Sequence, residues 1–426
     1  MVFQQPPRAF IDAGVFAKTS ADICQTLYSV ISGQAQSGYP PNGAVVDARG
    51  INYLNSKSSG NSMLCGLTPW LTTGSTSTNN PATILLPAGT IIISAPWILP
   101  DGSKLIGEGS GMGTPPGTVL QAASNFSGPM VYLGYNGTPN GYSTNPCPNN
   151  SNNICRGVSV ENVTLFGAGV ASGIQNTNSA ELSYVSNVSL LEMPGTGLLV
   201  SGGGAQNSGP YSNITFDILH SALAQPSTVC AEIEGVGGTR GIHGLSCVSS
   251  PDSQVAIYLD SSNNSIEDVS ITGFYDGIRV GQNKNAQGNV LANVFGDTNP
   301  PRGINQPVNL VHIENTNGTT TVSDLAIVGI GNAGGSGTTT IEDDLTQAPQ
   351  YISDSYIALY ALGQSKNGGY SRYTTSPSAT NWTAGTTTPG TNSCYSGSLY
   401  SCAGTTSSCN SKALWGCISS SWTALK

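Results

Sequence analysis

Charged side chains are scarce in this chain of 426 residues: Asp, Glu, Lys and Arg make up 9%, with 14 basic against 23 acidic. So few cations exclude the basic surface that nucleic-acid phosphates require, and no nucleic-acid partner is expected. Long apolar runs are missing too. No stretch of about 18 apolar residues occurs, so no membrane-spanning helix is expected. Histidines number only three, and neither Cys-X-X-Cys pairs nor Cys/His clusters at zinc spacing are found. No metal centre and no cofactor are implied. The first residues, Met1 to Pro7, lack a charged n-region followed by an apolar h-region. The expectation is a mature, exported chain whose signal has been removed, placed outside the cell or at its surface.

What the chain has is glycine, 54 residues of it, with abundant Ser, Thr and Asn, a composition that suits many tight turns between short strands. It also has ten cysteines, read as disulfides formed in an oxidising compartment. Cys147 and Cys155 bracket a Pro/Asn/Ser loop and are expected to pair locally. Cys230 and Cys247 are spaced as adjacent turns of a coil would bring them. The connectivity of the others stays open.

A refrain organises the middle of the chain. Asn162-Val163-Thr164-Leu165 returns as Asn187-Val188-Ser189-Leu190 and Asn213-Ile214-Thr215-Phe216. Weaker copies follow at Gly244-Leu245-Ser246-Cys247, Asp268-Val269-Ser270-Ile271, Asn293-Val294-Phe295 and Asp324-Leu325-Ala326-Ile327. The spacings are 25, 26, 31, 24, 25 and 31 residues. A period in this range marks a solenoid, in which each repeat stacks on the next. The regular apolar pattern also excludes disorder over residues 80–330. Within each copy the aliphatic residues alternate and are expected to point inward. The leading Asn or Asp is expected at a repeated bend, where a left-handed conformation is tolerated and stacked side chains bond one another. Gly244 satisfies the same bend without a side chain. Nine Asn-X-Ser/Thr sequons occur, but Asn162, Asn187 and Asn213 are read as turn residues rather than glycan carriers.

Ahead of the refrain, residues 20–32 carry Ile23, Leu27, Val30 and Ile31 at helical spacing with Ser20 as N-cap, predicting a short helix that covers the open end of the stack. Residues 33–80 read as irregular. Then come Ala82-Thr83-Ile84-Leu85-Leu86-Pro87-Ala88-Gly89-Thr90-Ile91-Ile92-Ile93 and Leu99-Pro100-Asp101-Gly102-Ser103-Lys104-Leu105-Ile106-Gly107-Glu108-Gly109. These β-branched runs, broken by Pro-Ala-Gly and Pro-Asp-Gly turns, resemble the N-terminal rungs of the pectate-lyase-like superfamily. The resemblance implies an all-β fold, a right-handed single-stranded parallel β-helix, over residues 80–345. Its catalytic members act on polysaccharides. Their Asn-Thr-Asp motif with a downstream Asp-Asp and His-Gly, and the aspartate cluster that holds calcium, are not found here. Asp343-Asp344 lies beyond the clear rungs.

The C-terminal part divides further. Tyr351 to Leu362 reads as a closing strand pair and residues 364–392 as a Gly/Ser/Thr-rich linker, so that residues 346–392 leave the coil. Cys394, Cys402, Cys409 and Cys417, with Tyr395, Tyr400, Trp415 and Trp422, predict a small disulfide-stapled module over residues 393–426, its aromatics either forming its own core, the favoured reading, or stacking on sugars.

Second strands follow the refrain at Ile174-Gln175-Asn176, Leu198-Leu199-Val200, 231–234, 257–260, 278–280 and 311–314. Aligned on Ile233, Leu259, Val280 and Ile313, they place Glu232, Tyr258, Arg279 and His312 outward before the anchor, and Glu234, Asp260, Gly281 and Glu314 outward after it. This is a dense polar stripe for so uncharged a chain. Glu232, Glu234 and Asp260 are the catalytic candidates, since crowded carboxylates raise one another's pKa as a general acid requires. Tyr258, Arg279, His312 and Glu314 are the substrate-binding candidates, Tyr258 by stacking and Arg279 by binding a uronate or serving as a lyase base. Asp276-Gly277-Ile278-Arg279 resembles an Arg-bearing rung of the family. His220 and His243 have no nucleophile at a recognisable spacing. Gly107-Glu108-Gly109-Ser110-Gly111 is no phosphate loop, lacking a lysine or helix start after it. Two functions follow as expectations. One is a secreted protein that binds or cleaves an extracellular polysaccharide along its flank. The other is a non-catalytic surface protein that adheres to glycans or self-associates into oligomers or filaments.

Overall fold

The computed structural model describes residues 9–343, apart from 18–21, 34–42, 52–61, 71–80, 112–116, 136–145, 148–152, 219–224, 250–252, 283, 299–307, 314–321, 324 and 333–337. Toward the C-terminus it describes 382–385, 399–402, 414–418 and 421–425. The closing strands expected at Tyr351 to Leu362 and most of the stapled module, Cys394 and Cys409 included, lie outside the described residues. What is described there is a four-stranded sheet of Trp382–Gly385, Leu399–Cys402, Leu414–Ile418 and Ser421–Ala424, so the sheet draws its first strand from the stretch read as linker.

The coil has three faces. Two belong to one large parallel sheet and the third to a nine-stranded parallel sheet. In the early turns the first two faces are built from separate strands. Ala44–Asp47, Ala82–Leu85 and Lys104–Ile106 form the first face, and Ser62–Cys65, Gly89–Ile93 and Thr118–Ala122 the second. Ser159–Phe166 then pairs with both: residues 159–161 join Lys104–Ile106, and residues 164–166 join Thr118–Ala122. From that turn onward one bent strand supplies both faces.

The bend is the Asn of the refrain. Asn162, Asn187, Asn213, Asp268 and Asn293 have φ between 53° and 57°, and Gly244 has φ 69°. Each drops out of the ladder while its neighbours stay paired, as in Glu161↔Ser186 and Val163↔Val188. Asn213 Nδ2 donates to Asn187 Oδ1 at 3.0 Å, Asn187 Nδ2 to Asn162 Oδ1 at 3.2 Å, and Asn293 Nδ2 to Asp268 Oδ1 at 3.0 Å. The side-chain ladder thus offsets the cost of left-handed backbone at a non-glycine residue. One refrain copy is corrected. Val294 pairs with Ile330, not with Leu325, so the position opposite Asn293 in the register is residue 329. A longer loop separates these two turns and hides the register.

Inward columns hold the core. Val163, Val188, Ile214, Leu245, Val269 and Val294 stack in register and are all buried. Each such side chain stabilises the coil by about 1.5–3 kcal/mol relative to exposure. Tyr211 occupies an otherwise aliphatic column between Val185 and Ile242. Its hydroxyl accepts from Asn176 Nδ2 and pairs with Ser208 Oγ, and burial pushes its pKa up to about 12.

The predicted helix is Ile23–Ile31, with Ile23, Leu27, Val30 and Ile31 buried. Its N-cap is Asp22, not Ser20: Oδ1 accepts from Cys24 N at 2.7 Å while Oδ2 accepts from Gly66 N. Aspartate does both jobs because it has two acceptor oxygens, where serine has one hydroxyl. Residues 33–80, read as irregular, contribute Ala44–Asp47 and Ser62–Cys65 to the sheet, and Phe10–Asp12 lies at its edge. Among the described residues, three disulfides are formed. Cys147–Cys155 and Cys230–Cys247 pair as expected, and Cys24–Cys65 ties the helix to Ser62–Cys65.

Candidate functional site on the third face

The third face runs through Trp97–Leu99, Pro129–Leu133, Ser172–Asn176, Thr196–Ser201, Val229–Glu234, Val255–Asp260, Asp276–Val280, Val308–Ile313 and Thr338–Asp343. Its inward anchors align as Ile233↔Leu259↔Val280↔Ile313. Its outward column reads Tyr132, Gln175, Leu199, Glu232, Tyr258, Arg279 and His312 on consecutive turns. All seven are half-buried, and the register continues to Glu342. Asp343 ends the last of these strands opposite Ile313, so it belongs to the rungs rather than lying beyond them.

Glu232 and Glu234 share one strand and both face outward, half-buried. Burial first, then the charges of Glu234 and Asp260, push the Glu232 carboxyl above the ordinary glutamate range; a hydrogen bond from Thr196 opposes them. Glu234 Oε1 lies 3.6 Å from Lys284 Nζ. Asp260 pairs with Glu234 in register, but it is 1% exposed and not part of the solvent-facing stripe. Strand alternation places it outward, yet it is buried, as are Ser261 and Asn264 in the turn that follows. Glu314 lies outside the described residues.

Sequence reasoning singled out Arg279 and His312 but not what holds them. Asp276, wholly buried at the start of its strand, accepts from Arg279 Nε at 2.6 Å and faces His312 Nδ1 at 3.2 Å with the same oxygen. Its other oxygen accepts from Asn309 Nδ2 at 3.2 Å. Arg279 and His312 side chains are 15% and 13% exposed. An arginine so neutralised is a poor free anchor for a uronate. The signal that could have found Asp276 is its i,i+3 spacing to Arg279 on a strand whose first position pairs with Asn309.

Elsewhere, His243 faces outward on the first face, Nδ1 3.5 Å from Glu267 and Nε2 3.0 Å from the Arg240 carbonyl oxygen. His220 lies outside the described residues. Among the described residues, the group of potential metal ligands is Asp22, Cys24 and Cys65, whose sulfurs are bonded to each other and cannot act as thiolates.

Fold and face together define a parallel β-helix with one polar, carboxylate-bearing flank. No family model and no curated protein matches the chain. In the path of its coil it is similar to solved pectin-lyase-like β-helix proteins. The A-module of the mannuronan C-5 epimerase AlgE4 of Azotobacter vinelandii superposes with a TM-score of 0.35 at 15% identity, covering 68% of this chain and 91% of that one. For ORF18 of Geobacillus virus E2 the values are 0.42, 9%, 82% and 62%. For a polygalacturonase from Erwinia carotovora ssp. carotovora they are 0.35, 10%, 69% and 96%.

Proposed function

We propose that this is an extracellular protein that binds a polysaccharide along its third face and hydrolyses it there. The observation that carries the reading is Glu232: a half-buried carboxyl held toward its protonated form, beside the outward Glu234, in a column that continues through Tyr258, Arg279 and His312. Turns about 4.8 Å apart present that column to an extended polymer rather than to a compact ligand. Glu232 donates a proton to the departing glycosidic oxygen, and Glu234, beside Lys284, is the carboxylate that activates water. Two residues of strand separate them by roughly 6.6 Å at backbone level, which suits inversion, for which carboxyl groups lie about 6.5–9.5 Å apart. Tyr258 stacks on a sugar ring on the next turn. Arg279, held by Asp276, donates to hydroxyl groups, and His312, held by the same carboxylate, accepts from them through Nε2. The three buried disulfides support an oxidising compartment. The helix at Ile23–Ile31 covers the early turns.

Reducing-end release from a panel of glucans, pectins and xylans tests this, with the anomer of the first product read by NMR. Glu232→Gln and Glu234→Gln each reduce activity at least 100-fold in this reading. Activity indifferent to both would overturn the assignment. A second reading, a non-catalytic rod that self-associates, draws on Phe295, a large aromatic 54% exposed on the second face in register with Ser270. Inactivity across the panel, together with filaments in negative stain, would favour it.

A further inference from the structure

Away from the third face, the corner between the first and second faces opens into a cavity of about 370 Å³. Its lining includes Leu85 and Ile106, half-buried neighbours in register on the first face, and the polar groups of Arg49, Glu108 and Asn162. The volume lies in the small-ligand range of about 300–1,000 Å³.

The polar groups are held in place. Arg49 grips Asp47 with two parallel bonds, Nε to Oδ1 at 2.9 Å and Nη2 to Oδ2 at 2.8 Å, and reaches Glu108 with Nη1 at 3.4 Å. It thereby spans the turns that carry Leu85 and Ile106. Glu108 N is fixed by Thr118 Oγ1 at 2.9 Å. At Gly107 a Cβ would stand 2.3 Å from the Asn162 carbonyl oxygen, so the wall there is bare backbone. Asn162 is where the asparagine ladder ends. Its Oδ1 accepts from Asn187, which accepts in turn from Asn213, and among the described residues its own Nδ2 has no partner. A relay of amides polarised in one direction makes that last N–H a strengthened donor.

The chemistry selects a ligand. Two carboxylates against one guanidinium disfavour an anion, and the guanidinium itself disfavours a cation. What remains is a neutral molecule with an apolar face and with groups that both donate and accept. We propose that this corner binds a neutral sugar residue, its ring laid on Leu85 and Ile106 and its hydroxyls bonded by Arg49, Glu108 and Asn162. The site is separate from the third face and stands whether or not that face is catalytic.

Saturation-transfer NMR on the full chain tests it, using methyl glucoside, methyl galactoside, methyl mannoside and N-acetylglucosamine, with galacturonate and glucosamine as charged probes. At least one neutral probe is expected to bind saturably. Glu108→Ala and Asn162→Gly, the latter retaining the left-handed bend, should each weaken it by about fivefold. Glu181→Gln, at the exposed ion pair with Arg156, should leave it unchanged. No saturable neutral probe, binding indifferent to both variants, or preference for a charged probe would each overturn the proposal.

Discussion

Asp276 and His312 meet across neighbouring turns, Oδ2 to Nδ1 at 3.2 Å, with the carboxylate wholly enclosed. A carboxylate only accepts, so the imidazole carries its proton on Nδ1. The same oxygen takes the Arg279 guanidinium, so a single buried anion orients both cation-forming side chains of the column. Asp276→Asn leaves these groups without a counter-charge and is expected to destabilise the fold by about 3–5 kcal/mol, measured by urea denaturation. A loss below about 1 kcal/mol would show that the enclosure does not depend on the charge.

Glu232 gives a pH signature independent of any substrate. Its raised pKa means that the folded chain takes up a proton before the unfolded chain does. The stability this group contributes is full below the ordinary glutamate value of about 4.3 and is lost as pH rises through its own titration. Glu232→Gln should therefore melt higher than the parent at pH 7, with the gap closing as pH falls toward 4. Calorimetry across that range checks it, and a constant gap would contradict the burial.

The ladder predicts a difference between two truncations. Asn187→Ala keeps a β-carbon at φ 54° but removes the two amide bonds that offset that strain, costing about 1–2 kcal/mol or more. Asn187→Gly loses the bonds but relaxes the backbone, so it should be the milder change. Equal losses in denaturant titrations would mean that the amides, not the bend, set the asparagine.

Cys230 and Cys247, both fully buried, connect the third face to the second through the interior. Replacing both by serine opens a loop of separation 17 and is expected to cost about 3 kcal/mol, with a lower melting temperature as readout. Matching Tm values with and without the bridge would argue against it as a staple.

The bends at Asn162, Asn187 and Asn213 were legible because their cause is local: a residue tolerant of left-handed backbone ahead of alternating aliphatics. The outward column was legible for the same reason, as alternation on Ile233, Leu259, Val280 and Ile313 fixes which residues share a face. Burial of outward groups was not legible. Asp260 obeys alternation yet is buried, and Asp276 is held by a partner on a strand 33 residues further on. Strands at Ala44–Asp47 and Ser62–Cys65 were hidden by composition, because neighbouring turns supply the pairing that propensity does not. Tyr211 in an aliphatic column is the same lesson, since its hydroxyl is met by Asn176, 35 residues earlier in the chain.

At Ser159–Phe166 the coil changes how it turns a corner. Before that strand the chain needs several residues to pass from the first face to the second; after it, one residue suffices. The open corner and the tight corner meet at Asn162, and the cavity lies at that seam. A tube wound from near-identical turns can thus create a single unique position without inserting a domain, simply by altering its winding once. Such a site would be fixed along the rod like a notch on a scale, leaving later turns free to be added or lost beyond it.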